Sequence, residues 1–335
     1  MSAVLLSSVL LASAPFVTNL TARTGYNSWP MIQSVGNRLV CAYSRGSGHT
    51  IGEGARGVWA QTSDDGGRTW SAETPVADDP AVGEVTVGKG LDSSGAMLLW
   101  IRCWSSNRKR HHLYRTTDGV RFERIAAPAF DPMPMQVTDV FSVPGVGLVS
   151  LWFSAGYREG QEKSWGTLVS ADDGRTWTQR TVESGLKQAE WPTEPSAVFP
   201  GDGKILALAR SEGKTGHQFQ LVSSDSGRTW RKSPTNIRDV AESTPSLVYD
   251  PKTGLVSNYY YHRGAKLLKR RVARASQVFD SPMDWPEPTV LFRGREMRAY
   301  DAGNANAVAC GSRQFVATYT GSPTNTEIVV VSVPD

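Results

Sequence analysis

The sequence predicts an all-β fold, a six-bladed β-propeller with four-stranded antiparallel blades, and three observations carry that reading. An eight-residue pattern, S-x-D-x-G-x-T-W, occurs three times. Its aromatic ends recur, together with two weaker copies, at intervals of 52, 55, 53 and 55 residues. A separate series of turn glycines runs between them. A period of about 54 residues fits six times into a chain of 335, and periods of this length mark repeat architectures.

The full copies lie at 63–70, 170–177 and 223–230. A copy one residue short runs from Thr116 through Asp118 to Phe122, and a vestige ends at Trp285. Each residue type in the pattern has its own physical role. Asp accepts from backbone N–H groups two residues on, Gly supplies a positive φ, and Trp covers the hairpin beneath. Asp65, Asp172 and Asp225 are therefore read as structural, with a Ca²⁺ loop as the minor alternative.

The second series consists of Gly36, Gly95, Gly147, Gly203, Gly254 and Gly311, each leading into an apolar run. One period thus holds an apolar strand, a Gly turn, a second apolar strand, a polar loop, a third strand, the Asp turn and a fourth strand. Four such strands repeated radially make a propeller blade, and residues 1–335 are read as one propeller domain. The run 327–333 supplies the last strand, and the segment 3–14 is expected to complete that last blade, closing the ring with strands from both ends. Without closure, exposed edges would invite aggregation.

Composition agrees with this fold. With 39% hydrophobic and 20% charged residues, disorder, collagen and coiled coil are excluded, while 32 Gly, 19 Pro and 11 Trp suit short strands and tight turns. The net charge of +4 suits an acidic partner, but nothing beyond that charge points to nucleic acid. Cys41, Cys103 and Cys310 are far apart, odd in number and without metal-ligand spacing, so they read as buried free thiols. The segment 3–14 has the apolar character of a signal sequence but no basic residues before it, and it is too short to span a bilayer; it reads as a strand, with no membrane insertion.

Propeller geometry sorts the polar residues. The start of each first strand and the loop after the second strand share one face, and the Asp turns lie on the other. First-strand entrances carry Tyr26 and Trp29, Glu84, Gln136 and Asp139, Glu190, Trp191 and Glu194, Glu242, and Tyr300 with Asp301. Second-strand exits carry Arg45, His49, Glu53 and Arg56, Arg102 and Trp104, Trp152, Arg210 and Glu212, and Tyr261, His262 and Arg263. Guanidinium forks for a carboxylate, a carboxylate for proton transfer and aromatic faces for sugar rings are what chemistry on an acidic sugar needs.

The S-x-D-x-G-x-T-W copies are Asp-boxes, and over essentially its whole length the chain resembles the sialidase superfamily of six-bladed propellers with such BNR repeats. That resemblance implies roles. Glu194 resembles the carboxylate that activates the nucleophile, Arg210 and Arg263 resemble two members of an arginine triad, and Tyr300 stands near the place of the nucleophilic Tyr, about two residues early. Exo-sialidases open the first blade with an Arg, whereas this chain has Tyr26-Asn27-Ser28-Trp29-Pro30. In the loop that carries their acid/base Asp, this chain offers Glu53, with His49 as the other candidate. The pattern is similar to that of phage endosialidases, which hold an internal stretch of polysialic acid, although their stalk and chaperone have no counterpart here. Tyr26, Trp29, Arg45, His49, Glu53, Trp191, Glu242 and His262 are the expected substrate-binding residues. The basic run 108–112 either extends such a groove or is a solvated loop.

The expectation is a glycosidase that cleaves sialic-acid-containing glycans, endo-acting on polysialic-type chains, with an acidic glycan as partner, no cofactor, a homo-oligomer compatible with the resemblance, and an extracellular or virion-associated location. Two alternatives stand beside it: a glycan-binding propeller without activity, as in an adhesin or a phage receptor-binding module, and a lyase or hydrolase of uronic-acid polysaccharides. No P-loop, dinucleotide fingerprint, zinc-protease helix or serine-hydrolase elbow occurs.

Overall fold

The computed structural model of the chain describes residues 14–20, 23–49, 56–105, 108–154, 162–212, 216–240 and 243–335. Its strands, in chain order, are β1 (Phe16–Asn19), β2 (Tyr26–Val35), β3 (Arg38–Gly46), β4 (Gly57–Ser63), β5 (Thr74–Ala77), β6 (Gly83–Leu91), β7 (Met97–Ser105), β8 (Arg108–Thr116), β9 (Glu123–Ala126), β10 (Pro134–Val143), β11 (Gly147–Ser154), β12 (Lys163–Ser170) and β13 (Thr178–Leu186). The second half adds β14 (Pro192–Gly201), β15 (Lys204–Ser211), β16 (Gln218–Ser223), β17 (Arg231–Pro234), β18 (Ser246–Asp250), β19 (Leu255–His262), β20 (Leu267–Arg274), β21 (Thr289–Arg293), β22 (Ala302–Cys310), β23 (Arg313–Gly321) and β24 (Thr326–Pro334). The one α-helix among the described residues, α1 (Ala275–Asp280), occupies the β20–β21 connection.

Four sheets are separate four-stranded antiparallel meanders: β6–β9, β10–β13, β14–β17 and β18–β21. The expectation of six separate blades is corrected here. The remaining strands form one eight-stranded sheet, in which β22–β23–β24, with β1 on β24, joins β2–β5. The join is a single parallel pair, Tyr26 with Thr326, reinforced by the Asn27 amide donating to the Thr326 carbonyl at 2.7 Å. The strand that pairs with the chain's last strand is β1, four residues long; the segment 3–14 expected in that role lies outside the described residues.

All six expected turn glycines sit in first hairpins with positive φ, from 59° at Gly36 to 113° at Gly147. The first strands β2, β6, β10, β14, β18 and β22 pack on one another in a closed cycle. Around the axis this packing is tight enough to dictate residue type. A Cβ on Gly88 would stand 2.3 Å from the Thr138 carbonyl oxygen, and one on Gly90 would stand 2.2 Å from that of Val140.

The Asp turns are structural, as the sequence predicts, with the carboxylate accepting four residues on rather than two. One oxygen of Asp172 accepts from the Thr176 N–H at 2.9 Å and the other from the Thr176 hydroxyl at 2.6 Å; these bonds hold the carboxyl down at about 2. Asp65 is bound the same way by Thr69, so the carboxylates are engaged by the turn itself. The turns also lock neighbouring sheets: the Arg38 guanidinium donates to the Asp118 carbonyl at 2.9 Å, and the Ser93 hydroxyl to Asp173 at 2.8 Å. At the vestigial copy, buried Trp285 donates to Gln220 at 3.1 Å from beyond α1. Cys41 and Cys103 are buried free thiols as expected, whereas Cys310 is only partly buried, because β22 ends there in an open turn.

Candidate active site

The ladder is broken near the entrance of five first strands, and three of these breaks carry a left-handed residue. In these three the pairing slips between Ser28 and Met31, between Thr193 and Ser196, and between Gly303 and Asn306. Within each bulge one non-glycine residue is left-handed: Trp29 at φ 52°, Glu194 at 48° and Asn304 at 48°. Such residues persist only where the surroundings enforce them, and they cluster at functional sites. All three line one cavity of about 300 Å³, together with His49, Arg102, Met135, Gln136, Arg210, Glu212, Arg263 and Tyr300.

One wall is a directional hydrogen-bond chain that crosses three sheets. Arg263 Nη2 donates to Asn304 Oδ1 at 3.3 Å, Asn304 Nδ2 to Thr244 Oγ1 at 3.1 Å, and the Thr244 hydroxyl to Glu194 Oε2 at 2.9 Å. The same Oε2 accepts from Arg210 Nη1 at 3.1 Å, and Arg210 Nε lies 2.9 Å from Glu212 Oε1. Thr193 donates to that oxygen of Glu212 at 2.7 Å. A buried network in which each member is held by the next fixes its rotamers. Arg263 is further anchored by Nε on the Ala302 carbonyl at 3.0 Å. It leaves no room at Gly303, where a Cβ would lie 2.9 Å from the guanidinium.

The rest of the lining is largely aromatic. The Trp29 and His49 ring centroids are 5.5 Å apart, those of His49 and Tyr300 are 5.4 Å apart, and Arg263 lies 5.2 Å from the Tyr300 ring. Behind it, the Tyr26 hydroxyl donates to the Tyr300 carbonyl at 2.6 Å. That donation uses Tyr26's only proton, so at the 3.0 Å contact between Tyr26 and His49 Nδ1 the imidazole is the donor. His49 is thereby fixed as the Nδ1–H tautomer with Nε2 as an acceptor. Burial, with Arg263 and Arg56 nearby, pushes its pKa down to about 4, so it is neutral at pH 7 and does not serve there as a proton donor. Arg56, 4.8 Å from the Trp29 ring, is itself lowered to about 10 by burial.

Of the twelve residues expected from the sequence, Glu194, Arg210, Arg263, Tyr300, Trp29 and His49 line the cavity. Tyr26 is fully buried and supports the aromatic wall from behind. Three expectations are corrected. Trp191 is a core residue, fully buried, with its N–H 3.3 Å from the Ser164 carbonyl and its ring edge-on to Phe153. Arg45 pairs with Glu73 and Asn27 and lies 4.7 Å from the Trp59 ring, away from the cavity. His262 faces Lys269 at 3.4 Å, outside the cavity lining. For Arg45 on β3 and His262 on β19 strand alternation, which a site-face argument alone ignores, turns the side chain away, whereas Trp191 precedes β14 and is drawn into the core. Glu53 and Glu242 lie outside the described residues.

Tyr300 enters from a short 3-10 turn, Ala299–Asp301, and Asn304 takes the bulge position on β22. That accounts for the early placement of Tyr300 in the sequence. Five lining residues were not among those twelve: Arg102, buried with Nη1 on the Met135 carbonyl at 2.9 Å, Met135 itself, Gln136, Glu212 and Asn304. Three of them were legible as site-face residues; Met135 and Asn304 were not, and only the bulge turns Asn304 inward.

The BNR repeat-like domain family matches residues 150–305. No curated protein matches the chain by sequence. Among solved structures, a Dyadobacter fermentans protein of unknown function superposes with a TM-score of 0.77 at 17% identity, over 96% of this chain and 98% of that one. The Streptococcus pneumoniae NanB sialidase gives 0.72 at 12% identity, over 96% of this chain and 70% of the enzyme. The phage phi92 endosialidase gives 0.68 at 11%, over 96% and 69%. These scores do not rank the endosialidase above the sialidase. The chain shares its fold with sialidases, and nearly half of it matches a BNR repeat-like domain.

Proposed function

We propose that the protein is a glycosidase of the sialidase superfamily, its residues 1–335 one propeller, that cleaves acidic glycans of the sialic-acid type within a chain. The observation that supports this reading is one cavity lined both by Glu194, held by Arg210 and Thr244, and by the rings of Trp29, His49 and Tyr300. Arg102, Arg210 and Arg263 present guanidinium groups to a sugar carboxylate, the geometry for which Arg is suited. Glu194 takes the proton of the attacking hydroxyl, that of Tyr300 or of a water molecule, as the glycosidic bond breaks. The departing sugar oxygen is protonated by an acid that we assign to Glu53. His49, neutral, accepts a hydroxyl of a neighbouring sugar at Nε2. Trp29 in place of a first guanidinium favours a groove that holds a chain over a pocket that closes on one terminal sugar. Such a substrate places the protein outside the cell or on a virion.

A second reading, a propeller that binds glycan without cleaving it, is favoured by one observation: Asn304 rather than Tyr300 takes the bulge position on β22. One experiment separates the two. Wild-type protein and Glu194→Gln are incubated with α2,8-linked polysialic acid, a terminally sialylated trisaccharide and polygalacturonate, and the products are sized by anion exchange. Mid-length sialic acid oligomers from wild type alone support the endo-acting hydrolase. Release of terminal sialic acid alone replaces it with exo action, and intact polymers with saturable binding select the binding-only reading. Ultraviolet absorbance from unsaturated uronates would transfer the activity to a uronate lyase.

A further inference from the structure

Arg102 and Cys103 are consecutive in β7, and alternation sends their side chains to opposite faces of the sheet. Arg102 lines the cavity that holds Glu194, whereas Cys103 lines a second cavity, of about 530 Å³, on the other face. Three cross-strand neighbours define this second cavity: Glu84 on β6 opposes Cys103, and Cys103 opposes Arg110 on β8. His112 and Tyr114, two and four residues along the same face of β8, continue the lining, and Asp78, Asp79 and Arg124 close the mouth.

The chemistry of this lining is neither nucleophilic nor merely structural. Burial pushes the Cys103 thiol up to about 12, so it stays protonated, and its sulfur lies in hydrogen-bond contact with His112 Nδ1 at 3.3 Å. Glu84, only 4% exposed, accepts the Asp79 N–H at 3.1 Å. Arg110 and Arg124, both exposed, form no ion pair with the described residues although three carboxylates stand on the same lining. Trp104, one residue beyond Cys103 and on the Arg102 face of β7, has the Arg102 guanidinium 5.6 Å and the Lys109 ammonium 4.5 Å from its ring.

We propose that this second cavity is a saccharide subsite that holds a further sugar of the chain whose acidic unit occupies the first cavity, with Trp104 as the ridge the chain crosses. The inference rests on the glycan reading of the first cavity. Carboxylates accept from vicinal sugar hydroxyls, guanidinium groups donate to a sugar carboxylate, and the Tyr114 and Trp104 rings supply apolar faces for ring C–H groups. The basic run 108–112 acquires a role in this way: its alternate residues Arg110 and His112 face the subsite.

The test measures calorimetric affinity on Glu194→Gln protein, in which turnover is slowed, for dimers and hexamers of α2,8-linked sialic acid and of α1,4-linked galacturonic acid. The Arg110→Ala/Arg124→Ala pair is then added; both residues are exposed, and an unchanged melting temperature confirms the fold. The expected result is hexamer affinity at least tenfold above that for the dimer, with the pair of substitutions removing that gain and leaving the dimer unaffected. Glu84→Gln should reproduce part of the loss. Equal affinity for dimer and hexamer, or a hexamer indifferent to the arginine pair, overturns the subsite alone. Failure of both sugar series to bind the parent overturns the glycan reading and the subsite with it.

Discussion

Arg210 bridges two carboxylates, its Nη1 3.1 Å from Glu194 Oε2 and its Nε 2.9 Å from Glu212 Oε1. All three side chains are at most 11% exposed. In that setting the guanidinium compensates two buried anions at once, and removing it differs in kind from neutralising one of them.

Glu194→Gln keeps the volume and an oxygen for Thr244 and Arg210, so the melting temperature should stay close to wild type while the turnover rate drops about 10²- to 10⁴-fold, the usual contribution of a positioned proton acceptor. Arg210→Ala leaves Glu194 and Glu212 without their shared cation and should cost about 3–5 kcal/mol of stability as well as activity. Parallel turnover and thermal-unfolding measurements decide the matter. Retained turnover in Glu194→Gln would remove that residue from the chemistry.

His49 and Glu84 should give opposite pH dependences in overlapping windows. His49 is lowered from 6.5 to about 4 in the fold, so the unfolded chain binds the extra proton first; its stabilising contribution is present above pH 6.5 and is lost as pH falls toward 4. Glu84 is raised from 4.5 to about 7 by burial, so its contribution is present below pH 4.5 and is lost as pH rises through 7. Melting temperatures of His49→Gln should therefore fall less than wild type on acidification from 6.5 to 4. Glu84→Gln should gain on wild type between pH 5 and 8. Parallel curves for either variant would refute the corresponding shift.

Two glycines separate backbone strain from packing. Gly36 has φ +59° and open space where a methyl group would project, whereas Gly88 has an ordinary φ but would press a Cβ to 2.3 Å from the Thr138 carbonyl oxygen. Gly36→Ala should cost about 1 kcal/mol, the left-handed penalty alone. Gly88→Ala forces two first strands apart at the axis and should cost about 3 kcal/mol or more. Chemical denaturation of both variants checks the order, and a smaller loss at Gly88 would mean that the ring of first strands can expand.

Much of the fold was legible because its signals are local. Each Asp turn closes through bonds within five residues, and each Gly hairpin needs one positive φ, so 63–70 or Gly254 announces its conformation without reference to the rest of the chain. The partition into sheets was not legible in this way: the Tyr26–Thr326 pair that fuses strands from both ends joins residues 300 positions apart.

The sequence by itself determined the all-β repeat architecture and singled out Glu194, Arg210, Arg263, Trp29, His49 and Tyr300 as candidates, six residues that line one cavity. Tertiary structure alone decided that Trp191 belongs to the core, that Arg45 serves Glu73, and that Asn304 and Arg102 complete the cavity. The physical reason is that a side chain's direction depends on bulges and on alternation along a strand. A one-residue slip of register exchanges cavity for core, and that slip is set by neighbouring sheets rather than by the residues on either side.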